Sequence, residues 1–215
     1  MVSHKHKCIF VHIPKTAGTS IEMLINQTPF SGTTHELLKE HASSEYFEEY
    51  FKFTFVRNTF ERVYSVYNYY SKGGNKQHPS SIKQWVLHLY RKVTQNDYYT
   101  DIEVSRKMPK KFSEFCIEFL LNKKPFYGKN ALISQYKFLE VNSEIKADFI
   151  GSFENLRVDL ELVKKKLSIV GELPHYRKAS HKKHYSEYYD EKTKEIVSNY
   201  YKDEISYFGF EFENH

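Results

Sequence analysis
The chain has 215 residues, 40% of them hydrophobic and 27% charged, a balance that excludes a disordered polymer and gives enough length for the full core of one domain spanning residues 1–215. Two cysteines, Cys8 and Cys116, exclude a disulfide scaffold or a cysteine zinc site, and no apolar run reaches the ~20 residues of a membrane span. The formal charge of +5, with 11 His and 17% aromatic residues, fits partners as different as nucleic acid, anionic small molecules, acidic membranes and sugars.

In chain order, Lys7–Ile13 predicts a buried strand. It runs into a glycine-containing turn, Pro14–Ser20, and then a helix with Ile21, Leu24 and Ile25 on one face. A second helical segment is expected near His35–Ser43, and Phe53–Arg57 is the next strand. Thr59–Ser71 has Val63, Val66, Tyr67 and Tyr70 at helical spacing. Lys72–Pro79 predicts a loop, Ser81–Val93 a helix, and Thr94–Pro109 an irregular polar stretch. Phe112, Phe115, Cys116, Phe119 and Leu120 form an apolar helical stripe. Asp148–Ser152 predicts a short strand, and Leu156, Leu160, Val163 and Leu167 a helix ending at Gly171. A basic, histidine-rich loop, Pro174–His184, precedes a last helix over Asp190–Tyr207. Strands alternating with helices imply a parallel α/β sheet covered on both faces.

Two segments carry chemistry. Ile9–Ser20 reads IFVHIPKTAGTS: an apolar strand, a short loop, and a helix start. Backbone N–H groups and the helix dipole favour an anion at such a point. Gly18 permits close backbone approach, Lys15 adds a cation, and Thr16, Thr19 and Ser20 add hydroxyls. Taken alone, the segment equally fits an ordinary connection with a solvated lysine. It is not a Walker A loop, because Lys15 precedes the only glycine.

The second segment, Lys52–Tyr70, reads KFTFVRNTFERVYSVYNYY. Arg57 stands at a strand end, where open α/β sheets bind ligands, and Ser65 lies on the helix that follows. The forked guanidinium suits a phosphate, while an ion pair with Glu61 is the alternative. Two anion sites on one sheet suit a nucleotide phosphorylated at two ends.

IPKTAGTS followed by FVRNxxxRxxSxY resembles the PAPS-dependent sulfotransferases, in particular the carbohydrate group of heparan 2-O- and chondroitin-type enzymes (sulfotransferase family 2). GSFENLRVDLELV, LPHYRKASHKKHYSEYY and VSNYYKDEISYFGFEF extend the resemblance to the C-terminal region. It implies a three-layer α/β/α sandwich with a central parallel sheet, P-loop NTPase-like. It implies that Lys15, Thr16, Ala17, Gly18, Thr19 and Ser20 hold the 5′-phosphosulfate of PAPS. Arg57 and Ser65 then hold the 3′-phosphate, and Arg177, Lys178 and Ser180 belong to a loop closing over the nucleotide. PAP is the product and no metal is required. One position departs from the family: proline usually stands two residues after the arginine, and here it is Thr59.

Sulfuryl transfer needs a general base for the acceptor hydroxyl, and histidine is suited to it. His35, in THELLKEH, is the candidate and His41 the reserve; His12 reads as structural, and His4 and His6 as tail residues. Tyr67, Tyr69, Tyr70, Tyr98 and Tyr99 are candidate sugar platforms or packing residues. Lys76, Arg91, Arg106, Lys107, Lys110 and Lys111 would suit an acidic glycan or simply solubilise the surface. The expected partner is a carbohydrate or other hydroxyl-bearing acceptor, not nucleic acid, and the expected compartment is the cytoplasm. The competing functions are a P-loop-like nucleotide kinase or NTPase and a non-catalytic basic polyanion binder.

Overall fold
The computed structural model describes residues 1–27, 35–74, 86, 90, 93–94, 99–128, 130–174 and 183–214. Its centre is a four-stranded sheet in the order β1 (Val2–Ser3), β2 (Cys8–Phe10), β3 (Phe51–Val56) and β6 (Phe149–Ser152). The last three strands run parallel, with Phe10 opposite Phe53 and Phe55 opposite Gly151. β1 pairs antiparallel with β2, so the N-terminal residues form a sheet edge rather than a tail. His4 and His6 are tied down with it: His4 Nδ1 lies 2.8 Å from the Tyr50 hydroxyl, and His6 Nδ1 3.2 Å from the Leu167 carbonyl.

Alternate residues of β2 enter different cores. Cys8 and Phe10 join Phe53 and Phe55 under α1 (Gly18–Asn26) and α6 (Leu156–Leu167). Ile9, Val11 and Val56 face Leu38, Phe138 and Leu139 on the other side. That second layer contains the short α5 (Gln135–Leu139) and a small hairpin, β4 (Glu140–Val141) with β5 (Glu144–Ile145). Both sheet faces are therefore covered, giving the three-layer α/β/α sandwich. A third, helical core gathers around α2 (Thr59–Ser71), with α3 (Asp101–Arg106), α4 (Phe112–Phe115) and α7 (Glu191–Tyr200).

Several boundaries differ from the sequence reading. α1 begins at Gly18, inside the expected turn, and the segment near His35 reduces to a single 3₁₀ turn, Leu38–His41. Thr94–Pro109 is not wholly irregular: Thr100 and Glu103 form a reciprocal capping box that starts α3. The stripe after Phe112 continues as a π-helical stretch, Cys116–Leu121. α6 stops at Leu167, because Ser168 turns left-handed and sends Ile169 back into the core. The C-terminal helix divides at Tyr201 into α7 and α8 (Lys202–Phe208), and the Tyr201 hydroxyl donates to the Leu132 carbonyl. Among the described residues no helix is long and apolar enough to cross a membrane.

Candidate active site
The loop between β2 and α1 has two non-glycine residues in the left-handed region, Lys15 (φ 74°) and Ala17 (φ 65°). Such conformations cost of order 1–3 kcal/mol each and cluster at ligand-binding turns. Ala17 occupies the N-cap of α1 and has no side-chain oxygen with which to cap it. The N–H groups of Gly18 and Thr19 consequently find no backbone acceptor among the described residues. An uncapped helix start beside a lysine favours an anion. The Thr16 hydroxyl is engaged within the loop, donating to the Ile13 carbonyl at 2.9 Å, while Thr19 remains half-exposed. Ser20 is buried.

A histidine braces the loop from behind. A Cβ added to Gly18 would lie 2.1 Å from His12 Cδ2, so only glycine fits there. His12 is buried and shares a 3.0 Å hydrogen bond with Glu22 on α1. Its edge meets the His35 ring, with centroids 4.6 Å apart. His35 Nδ1 lies 3.0 Å from the His12 carbonyl, and Asn130 Nδ2 donates to the His35 carbonyl at 3.0 Å. A carbonyl only accepts, so Nδ1 is the nitrogen that carries the proton in a neutral His35 ring. That is the tautomer a general base needs. His41 instead pairs with Glu36, at 3.3 Å.

Burial pushes the Glu22 carboxyl from 4.5 up to about 7, and holds His12 down from 6.5 to about 3. The native pair therefore keeps one proton, on Glu22, between these limits. The unfolded chain also keeps one between pH 4.5 and 6.5, but on the histidine, so the pair adds no stability slope in that window. In Glu22→Gln only His12 remains. Its depressed native pKa contributes stability above 6.5 that is lost as pH falls toward 3. The Tm gap between wild type and Glu22→Gln should widen as pH falls from 6.5 to 4.5. A gap that stays constant in thermal melts across that range would contradict the assignment.

Arg57 follows the last residue of β3 and joins the two segments physically. Its side chain is only 4% exposed, and Nη1 donates to the Lys15 carbonyl at 3.1 Å and to Ser65 Oγ at 3.4 Å. Nη2 pairs with Glu61 at 2.5 Å, so the ion pair and the serine contact coexist. The guanidinium lies 4.2 Å from the Phe153 ring centre. Its Nε is buried with no hydrogen-bond partner among the described residues, as is that of Arg62.

Lys15, Thr16, Ala17, Gly18, Thr19, Ser20, Arg57 and Ser65 thus cluster at the carboxyl end of the parallel strands, with His35 against the same loop. Arg177, Lys178 and Ser180 lie outside the described residues. Residues the sequence reading missed surround the cluster: Glu22, Asn130, Gln135, Phe153 and Glu204. Phe153 belongs to GSFENL and Glu204 to VSNYYKDEISYFGFEF, which carried part of the resemblance without singling out either residue; the others stand in segments with no motif signal. Tyr69, a candidate sugar platform or packing residue, lies with its ring 4.3 Å from Lys15 Nζ, and its hydroxyl donates to Asp101 at 2.5 Å. Tyr67 donates to the Lys110 carbonyl and Tyr70 is buried, while Tyr99 stacks on Tyr127 beneath Lys107. Tyr98, Lys76 and Arg91 lie outside the described residues. No group of three or more potential metal ligands is found among the described residues.

A sheet-end loop with a cation, an uncapped helix start and a buried arginine is an arrangement that favours an anion. A family model for the sulfotransferase family matches residues 1–211, and the chain belongs to that family. The membership supports sulfuryl transfer as its activity. No curated protein and no solved structure gives a significant match.

Proposed function
We propose that this protein transfers a sulfuryl group from PAPS to a carbohydrate hydroxyl, with His35 as the general base. The observation that carries the reading is Arg57, buried, bonded to the Lys15 carbonyl and to Ser65, with its Nε orphaned. It puts a forked cation beside the anion seat, as a nucleotide with phosphates at both ends requires. The donor fits these residues: the loop N–H groups and Lys15 face a 5′-phosphosulfate, and Arg57 and Ser65 a 3′-phosphate. When bound, PAPS supplies the activated sulfuryl group, and its bridging oxygen gains negative charge as the group leaves. Lys15 and the α1 N-terminus stabilise that charge, the part a metal ion plays in phosphoryl transfer. His35 Nε2 accepts the acceptor's hydroxyl proton, while the His12 carbonyl fixes the ring. Cys8 and Cys116 are buried free thiols, which fits a reducing compartment, so we place the enzyme in the cytoplasm.

The test is transfer of ³⁵S from labelled PAPS to a panel of glycans and other hydroxyl acceptors, in EDTA. Sulfated glycan is the expected product. His35→Ala should lower its rate by about 10²–10⁴-fold with PAP affinity unchanged. Transfer lost in His41→Ala but kept in His35→Ala would move the base to His41; no transfer to any acceptor would remove the proposal.

A further inference from the structure
Beyond the end of β3, Arg57 has outrun its strand ladder, whose last pair is Val56 with Ser152. A single side chain takes over. Gln135, fully buried at the start of α5, accepts the Arg57 N–H through Oε1 at 2.9 Å and donates Nε2 to the Arg57 carbonyl at 2.8 Å. Its amide thus stands in for a strand neighbour and fixes the backbone from which the guanidinium projects.

Gln135 is itself held. Its Nε2 also donates to Glu204 Oε1 at 2.7 Å, and its backbone N–H donates to Glu204 Oε2. Glu204, fully buried on α8, accepts the Thr59 hydroxyl at 2.5 Å and lies 3.8 Å from Arg62 Nη2. Arg62 in turn donates to the Ala131 and Ile133 carbonyls, both at 3.0 Å. A carboxylate can face only the donor end of the amide, so Glu204 sets which end of Gln135 meets the Arg57 N–H. A flipped amide would set NH₂ against N–H and oxygen against carbonyl.

Thr59 gives this cluster a feature particular to the chain. Asn58 caps α2, which places Thr59 at the first helical position, where the backbone N–H has no intrahelical partner and proline is well tolerated. Threonine there contributes a hydroxyl to Glu204 that proline lacks. We infer that Gln135, oriented by Glu204 and Thr59, is a positioning residue for Arg57 that sets the enzyme's discrimination for a 3′-phosphorylated nucleotide. The inference rests on the reading of Arg57 as the 3′-phosphate ligand.

The test compares binding of PAP and of adenosine 5′-phosphate, which differ only in the 3′-phosphate, by titration calorimetry on the full chain. Wild type should prefer PAP by about 100-fold or more, since buried charge-assisted contacts of this kind are worth several powers of ten. Gln135→Met keeps length and bulk but neither hydrogen bond. It should cut the preference at least tenfold, by weakening PAP and leaving adenosine 5′-phosphate within about threefold. A merely structural role would weaken both nucleotides together, and that result, or an unchanged preference, overturns the inference. Thr59→Val should reduce the preference by a smaller factor and Thr59→Ser restore it. If Gln135→Met does not fold, the Thr59 pair decides, an unchanged preference in Thr59→Val counting against the inference. A wild-type protein without preference for PAP would instead remove the reading of Arg57, and the inference with it.

Discussion

Lys15→Ala is expected to lower sulfuryl transfer by about 10²–10³-fold, the usual consequence of deleting one preorganised group that stabilises developing charge. The geometry explains why a lone loop lysine has so much effect. Its backbone is held in the left-handed region, its carbonyl accepts from buried Arg57, and its ammonium rests over the Tyr69 ring. The ring is anchored by its own hydroxyl bond to buried Asp101, so the cation has a fixed support. Preorganisation of this kind removes reorganisation during the reaction, which a solvated lysine would have to undergo. The half-exposed side chain contributes little to the core, so the variant should melt close to wild type. Turnover of labelled PAPS, measured beside PAP affinity, checks this. The rate should fall much further than the affinity, because the demand for positive charge peaks in the transition state. Equal losses in both would make Lys15 a simple binding residue.

Arg57→Ala should cost about 2–5 kcal/mol of PAP affinity, roughly 30- to several-thousand-fold, because it removes a desolvated cation. The loss has three physical parts. The Phe153 ring loses the guanidinium stacked on it, Ser65 and the Lys15 carbonyl lose a donor, and Glu61 loses its ion pair with Arg57. Adenosine 5′-phosphate should bind the variant almost as it binds wild type. Calorimetric titration with both nucleotides measures the difference. PAP affinity within threefold of wild type would show that Arg57 serves the fold alone and would favour a polyanion-binding surface instead.

The architecture was legible where one physical signal dominates. The α2 span Thr59–Ser71 follows from its apolar spacing, and Asn58 caps it by accepting from the Phe60 N–H. The strands pairing Phe10, Phe53 and Phe149 read as strands because aromatic and β-branched residues run together. Short elements escaped. The β4–β5 hairpin turns on Asn142 and Ser143, both left-handed, with no glycine to announce it. β1 has two residues and gains meaning only from its pairing with β2.

The site divides in the same way. The loop after β2 and Arg57 stood out, and their nearness in the fold was expected, because their signal is local: a strand end, a glycine, a cation. Gln135 and Glu204 were not, since their role depends on contacts 78 and 69 residues away along the chain. An acid in KDEISYF reads as solvent-facing until the fold buries it against Thr59 and Arg62. Thr59 itself stood out only as a departure from proline, and the fold supplies the reason the position accepts it. Tyr69, open in the sequence between a sugar platform and a packing residue, takes the packing role, its face occupied by the protein's own Lys15.

The account turns on one nucleotide phosphorylated at both ends being held without metal. Titration of the purified chain with PAP in EDTA tests this most directly. The structure of the site predicts one-to-one binding that is weakened about 30-fold or more in Arg57→Ala and is at least about 100-fold tighter than that of adenosine 5′-phosphate. Equal binding of the two nucleotides, or binding that appears only when magnesium and ATP are supplied, would contradict it.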